Sequence, residues 1–256
     1  SYIQFYPEPD FQRRPIDHGA QQIIMADQPA IRFAVIGLDH FHIYQQTTLL
    51  LEAGAELAGF QGQSPELDSA FVDTYPQATS FESKAELLED ESIHLIVSAG
   101  IPNERAPLGI EVMEHGKDFM SDKPGFTTLE QLNQVRQTVE KTRRIYAISY
   151  GRLESRSTEH ASQLIQQGAI GRVLQTVSLG PHRPNLANRP EWFFQRDRYG
   201  GVLCDVATHH ADYFLHFTGA TDYEIVSAQI ANWHYPQHPE LEDCLLYTSP
   251  SPRDIG

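Results

Sequence analysis

Between Ile31 and Tyr150 the chain alternates short apolar runs with stretches of helical period, and this rhythm restricts the fold more than any other feature. Ile31–Gly37 (IRFAVIG), Glu56–Gln61, Ile93–Ala99, Asp118–Ser121 and Ile145–Tyr150 are short and largely apolar, the pattern of strands covered on both faces. His42–Ala53, Pro65–Tyr75, Ser83–Asp90, Ala106–His115 and Thr127–Thr142 lie between or beside them and repeat apolar residues at three- and four-residue steps. Ser83 is the predicted N-cap of one helix, Thr127 with Glu130 has capping-box spacing in another, and Gly116 is a predicted helix stop. Strands alternating with helices predict a doubly wound parallel sheet, a Rossmann-type α/β domain. In such a sheet ligands meet the carboxyl ends of the strands, where Gly37, Gly100 and Lys123 fall.

Past Gly151 the rhythm changes. Thr158–Gln167 is a predicted helix, Gly171–Gly180 a strand, Pro181–Arg198 a polar loop, Tyr199–Ala220 a helix and Glu224–Trp233 a strand. This describes a second, α+β domain with a mostly antiparallel open sheet, incomplete at its end. The expected domains are 25–150 and 151–243. Residues 1–24, without clear period, are expected to be a leader ahead of a start at Met25. Residues 244–256 are expected to be a foreign tail, because Cys244–Asp254 (CLLYTSPSPRD) resembles the translation of a sequencing-library adapter.

Charge and cysteine usage narrow the function classes. A net charge of −15 with no basic stripe disfavours a nucleic-acid partner. No run reaches the ~20 apolar residues of a membrane-spanning helix. Two cysteines and no secretory signal pattern lead us to expect a reducing, cytoplasmic setting.

The stretch Tyr199–Ala220 (YGGVLCDVATHHADYFLHFTGA) carries the chemistry. Val202, Leu203, Val206, Tyr213, Phe214 and Phe217 form an apolar stripe, and Asp205, His209 and Asp212 form a polar one at i, i+4 and i+7. A carboxylate one turn from an imidazole can orient the ring and raise its basicity, which suits acid/base work. Taken alone, the pair also reads as an ordinary helix-surface contact.

The turn after the first strand has the parts of a nucleotide site in altered form. Of the glycine fingerprint only Gly37 is present, with Asp39 and His42 at the other two glycine positions. The second strand ends in Gly62-Gln63-Ser64, without the acidic residue that usually holds the adenosine ribose, so NAD and NADP both remain open. Asp39, His40 and His42 lack further ligands at metal spacing, and no metal is expected.

Three elements occur in a fixed order: a strand–glycine turn–helix start, Asp122-Lys123-Pro124 after a later strand, and G-G-x-x-x-D-x-x-x-H-x-x-D from Gly200 to Asp212. Together they resemble the glucose–fructose oxidoreductase/inositol dehydrogenase family (Gfo/Idh/MocA), over residues 30 to about 243. The resemblance implies NAD or NADP as cofactor, a carbinol of a sugar, cyclitol or related small molecule as substrate, and a homo-oligomer when full length. It implies that Lys123, Asp205 and His209 are catalytic, with His209 as acid/base, Lys123 holding the hydroxyl and Asp205 positioning substrate or His209. Expected cofactor contacts are Gly37, Leu38, Asp39, His40, Phe41, His42, Gly62, Gln63, Gly100, Ile101, Pro102, Asn103, Lys123 and Pro124. Asp122 replaces the family's glutamate, and Arg105 stands where a histidine is common and could meet an anionic group. His182, Arg183 and Trp192 are expected to clamp substrate by stacking and hydrogen bonds. Two other readings are an NAD-using glycosidase of the same family and a non-catalytic dinucleotide-dependent sensor, the latter favoured by the eroded glycine fingerprint.

Overall fold

The structure is a computed structural model that describes residues 30–151, 155–179 and 185–248. Its first part runs β1 (Arg32–Ile36), α1 (His42–Glu52), β2 (Glu56–Gln61), α2 (Pro65–Thr74), β3 (Thr79–Ser80), α3 (Lys84–Glu89), β4 (Leu95–Ser98), α4 (Pro102–Glu114), β5 (Asp118–Asp122), α5 (Leu129–Thr142) and β6 (Tyr146–Ser149). The strands pair in parallel in the order β3-β2-β1-β4-β5-β6, a doubly wound sheet whose strand order reverses between β1 and β4.

β1 shows why this segment is a central strand. Its side chains alternate between two cores, as the period of two requires. Phe33 and Val35 pack with Ile43, Phe60 and Phe71, while Ala34 and Ile36 pack with Leu87, Ile96, Val112 and Phe119. Gly109 lets α4 lie close on the sheet, since a Cβ there would come within 2.4 Å of the Tyr146 ring and 2.6 Å of the Phe119 ring.

Local signals mostly set the boundaries. Ser83 caps α3 in a full capping box with Glu86. The cap of α5 lies one residue later than Thr127 predicts: Thr128 accepts from the Gln131 amide, and Gln131 reaches back to the Thr127 amide. A glutamine therefore replaces Glu130 as the return partner. α4 starts at Pro102, four residues before the predicted Ala106, because proline suits a first helical position.

The second part contains α6 (Arg156–Gln166), two short 3-10 turns (Leu186–Asn188 and Glu191–Phe194), α7 (Arg196–Tyr199), a π-helical turn (Leu203–Ala207), α8 (Thr208–Thr218), β7 (Ser227–Ala231) and β8 (Cys244–Thr248). β7 and β8 pair antiparallel as a small second sheet. The strand predicted over 171–180 is absent among the described residues. Its apolar positions Leu174, Val177 and Leu179 are exposed, so alternation without a neighbouring strand produces no ladder. The helix predicted over 199–220 is a composite, broken by Gly200 and Gly201, both at φ +86°. No helix among the described residues is long and apolar enough to cross a membrane.

Candidate active site

The site lies at the carboxyl ends of β1, β4, β5 and β6, which the helical segment 203–218 meets through Lys123–Asp205 and Tyr150–His209. Gly37 leaves β1 at φ +86°, and a Cβ there would lie 2.9 Å from the Gly100 Cα, so the turns after β1 and β4 touch backbone to backbone. The loop is pinned there by the His40 amide donating to the Ala99 carbonyl at 2.9 Å and the Ala99 amide donating to the Gly37 carbonyl at 3.3 Å.

At the end of β5, Asp122 is 1% exposed and receives three groups. His40 Nδ1 lies 3.2 Å from Oδ2, His42 Nδ1 lies 3.0 Å from Oδ1, and Arg105 Nη2 lies 3.3 Å from Oδ2. Burial alone would raise the Asp122 carboxyl, but hydrogen bonds from His40 and His42 and the Arg105 charge outweigh it and hold it well below the usual range. Burial lowers His40 to about 4 against the pull of Asp122, so near neutral pH its ring is uncharged and Nδ1–H donates to the carboxylate. Arg105, also 1% exposed, gives its remaining donors to the carbonyls of Gly100 (2.7 Å), Lys123 (2.6 Å), Asp122 and Pro124 (both 3.1 Å). The anionic group that Arg105 meets is therefore Asp122, and the guanidinium ties the β4 and β5 turns together. His40, His42 and Asp122 stand close enough to share a cation, but Arg105 already neutralises the carboxylate and the ring nitrogens satisfy it.

The next residue is the expected lysine. Lys123, 7% exposed, forms an ion pair with the Asp205 carboxylate and donates to the Asp205 carbonyl at 3.2 Å. Two glycines allow this approach. A Cβ on Gly200 would meet Thr127 Cγ2 at 2.8 Å, and one on Gly201 would meet Glu242 Oε2 at 2.9 Å. Glu242 also accepts from the Val202 amide at 2.7 Å, satisfying a donor at the helix start.

His209, 6% exposed, lies one turn on, its ring edge-on to Tyr150 with centroids 5.7 Å apart. Burial, aided by the negative charge of Asp212, pushes Tyr150 up to about 12, so it stays a neutral phenol. Burial raises Asp212 as well. His42, Gln45, Gln46, Asp122, Tyr150 and His209 are among the residues lining a cavity of about 160 Å³. The structure thus brings Lys123, Asp205 and His209 to one junction, with Asp122 and its histidines beside them.

A dinucleotide fits the first-domain face of this junction. Asn103 Oδ1, at the start of α4, and Gln46 Oε1, at the cavity, are buried acceptors without a hydrogen-bond partner among the described residues. Asp39 is the awkward member. Its Oδ2 lies 3.7 Å from where a Gly100 Cβ would stand, at the turn where a pyrophosphate crosses. Burial raises its pKa, aided by Glu104 and opposed by a backbone hydrogen bond and the charges of Arg105 and Arg198.

The other expected residues sort by position. Leu38 is buried under the turn, Phe41 is 66% exposed and stacks on His40, and Ile101, Pro102 and Pro124 flank the turns after β4 and β5. Gly62 and Gln63 sit at the end of β2. Trp192 lies near the β1 loop, its ring 6.3 Å from the His40 ring. His182 and Arg183 lie outside the described residues. Gln46, Tyr150 and the double histidine grip on Asp122 escape the sequence reading. The polar pair Gln45-Gln46 within a helix that packs on the sheet is the signal that could have found the first.

Comparison with known proteins agrees with this geometry. Residues 31–150 match the oxidoreductase family with an NAD-binding Rossmann fold, and residues 158–248 match the GFO/IDH/MocA C-terminal domain. A crystal structure of a presumptive oxidoreductase from Erwinia carotovora atroseptica SCRI1043 is 43% identical, with a TM-score of 0.82 over 86% of this chain and 68% of that one. Levoglucosan dehydrogenase of Pseudarthrobacter phenanthrenivorans is 26% identical over 185 residues, covering 69% of this chain but only 45% of its own length. A presumptive myo-inositol dehydrogenase from Sinorhizobium meliloti 1021 shares the fold, with 18% identity and a TM-score of 0.73 over 87% of this chain and 66% of that one.

Proposed function

The chain belongs to the GFO/IDH/MocA oxidoreductase family, with that family's NAD-binding Rossmann fold as its first domain, and from this premise we propose that it is a dehydrogenase acting on a carbinol of a sugar, cyclitol or anhydrosugar. The observation that carries the reading is the ion pair of buried Lys123 with part-buried Asp205, one turn from buried His209. The nicotinamide, when bound, takes or supplies the hydride. The protein's own groups manage the oxygen and its proton. Lys123 donates to the carbinol oxygen and stabilises the negative charge that grows there as C–H breaks. Asp205 holds the ammonium in place, and its partial exposure leaves room for a substrate hydroxyl. His209 takes the hydroxyl proton, oriented by the edge contact with Tyr150.

The substrate class rests on relatives named for levoglucosan and myo-inositol, both polyhydroxylated rings. Trp192 offers an apolar face to such a ring. NAD is the cofactor the family description names, and assembly of copies across the exposed β7–β8 face belongs to the same reading.

Lys123→Met is the direct test. Loss of one donor to a developing oxyanion lowers kcat by about 10²–10³-fold. The assay follows nicotinamide absorbance over a panel of anhydrosugars, cyclitols and aldoses, with NADH binding measured separately. Retained turnover in the variant would overturn the assignment. The carboxyl of Asp39 in the pyrophosphate turn favours one second reading, a sensor. NADH binding without turnover on any panel member would select it.

A further inference from the structure

The end of β2 poses a problem that α2 solves. Gly62, which follows Gly37 by 25 residues, stands at the carboxyl end of β2. A Rossmann fold places there, about 20 residues after the glycine turn, a carboxylate that binds the adenosine ribose hydroxyls. Gly62 has no side chain to offer, and Gln63 and Ser64 bring no charge. The volume is nevertheless filled. A Cβ built on Gly62 would lie 1.7 Å from Asp68 Oδ1 and 2.7 Å from Asp68 Cγ. The Asp68 carboxylate, carried on the first turns of α2, occupies the space in which a strand-borne acidic side chain would begin.

Its chemistry is that of a site awaiting donors. Asp68 Oδ1 is buried and has no hydrogen-bond partner among the described residues. A buried carboxylate oxygen without a donor is costly, and burial raises the Asp68 pKa accordingly. A vicinal diol supplies two hydroxyl donors. A 2′-phosphate in the same place supplies none and adds negative charge.

We infer that Asp68 is the ribose-binding carboxylate of this protein, moved from the end of β2 to α2, and that it selects NAD over NADP. This rests on dinucleotide binding by the first domain and not on the reaction proposed above. Gly62 is then a requirement of the arrangement, because any side chain there would displace the carboxylate.

Dissociation constants for NADH and NADPH, read from nicotinamide fluorescence, test it in the wild type, Asp68→Asn, Gly62→Asp and the exchange Gly62→Asp/Asp68→Ala. The wild type should prefer NADH. Asp68→Asn should weaken NADH ~10–100-fold, the range for losing a hydrogen bond to a charged group, and erode the preference over NADPH. Gly62→Asp alone should weaken both dinucleotides, and the exchange should restore NADH by returning the carboxylate to the strand. An unchanged NADH/NADPH ratio in Asp68→Asn, or an exchange no better than Gly62→Asp, overturns the inference and leaves dinucleotide binding intact. A wild type that binds neither dinucleotide overturns both.

Discussion

Acid should loosen this protein in a window set by one histidine. His40 is 9% exposed, and burial lowers it from 6.5 to about 4 despite the neighbouring Asp122. The unfolded chain therefore binds a proton at this ring across that interval while the folded chain does not. Stability from the neutral ring is complete above pH 6.5, and it is lost as pH falls from there to about 4. The difference corresponds to about 3 kcal/mol. Asp122, held low by its donors, acts in a separate range, since its contribution fades only as pH drops below the ordinary carboxylate value. Urea unfolding at half-unit steps from pH 7.5 to 4 measures the slope. His40→Asn, which keeps a donor toward Asp122 but does not titrate, supplies the reference. The wild type should lose about 3 kcal/mol more than the variant across the window. Parallel curves, or a His40 ring resonance titrating near 6.5, would refute the account.

Two further perturbations probe the frame around the site. Arg105→Met leaves Asp122 buried without its cation and should cost about 3–5 kcal/mol, seen as a lower urea midpoint; a loss under about 1 kcal/mol would mean the histidines alone satisfy the carboxylate. Gly109→Ala forces a methyl against the Tyr146 and Phe119 rings and should cost about 1–3 kcal/mol in thermal unfolding, with no effect expected from the cavity side of the sheet.

The doubly wound sheet was legible because its information is local. β1 and β4 announce themselves as short apolar runs, and Ser83 states its own helix start. The places of Lys123 at a strand end and of His209 one helical turn beyond Asp205 were legible through spacing and order. What escaped depends on distance along the chain. His40 and His42 meet Asp122 eighty or more residues later, and no window of sequence contains both sides of that contact. Asp68 escaped for a related reason, since a glycine at position 62 signals an absence and gives no sign of what fills it. The strand expected over 171–180 failed in the other direction. Its alternation is a local signal, but a ladder needs a partner, and Val177 and Leu179 face outward instead.

The π-helical turn Leu203–Ala207 has a consequence for how this site can change. A π-helical turn holds one residue more than an α-helical turn, and here it contains Asp205 and immediately precedes α8. Removing a single residue from it would let the two segments merge into one regular helix. Because the turn already absorbs one extra residue, everything downstream would keep its direction, and His209 would stay on the cavity side with one residue fewer between it and Asp205. Point substitution tunes this site by degrees. A residue removed from the regular turns of α8 would instead swing everything beyond it by about 100°, so the π turn is where this helix can change length and keep its face.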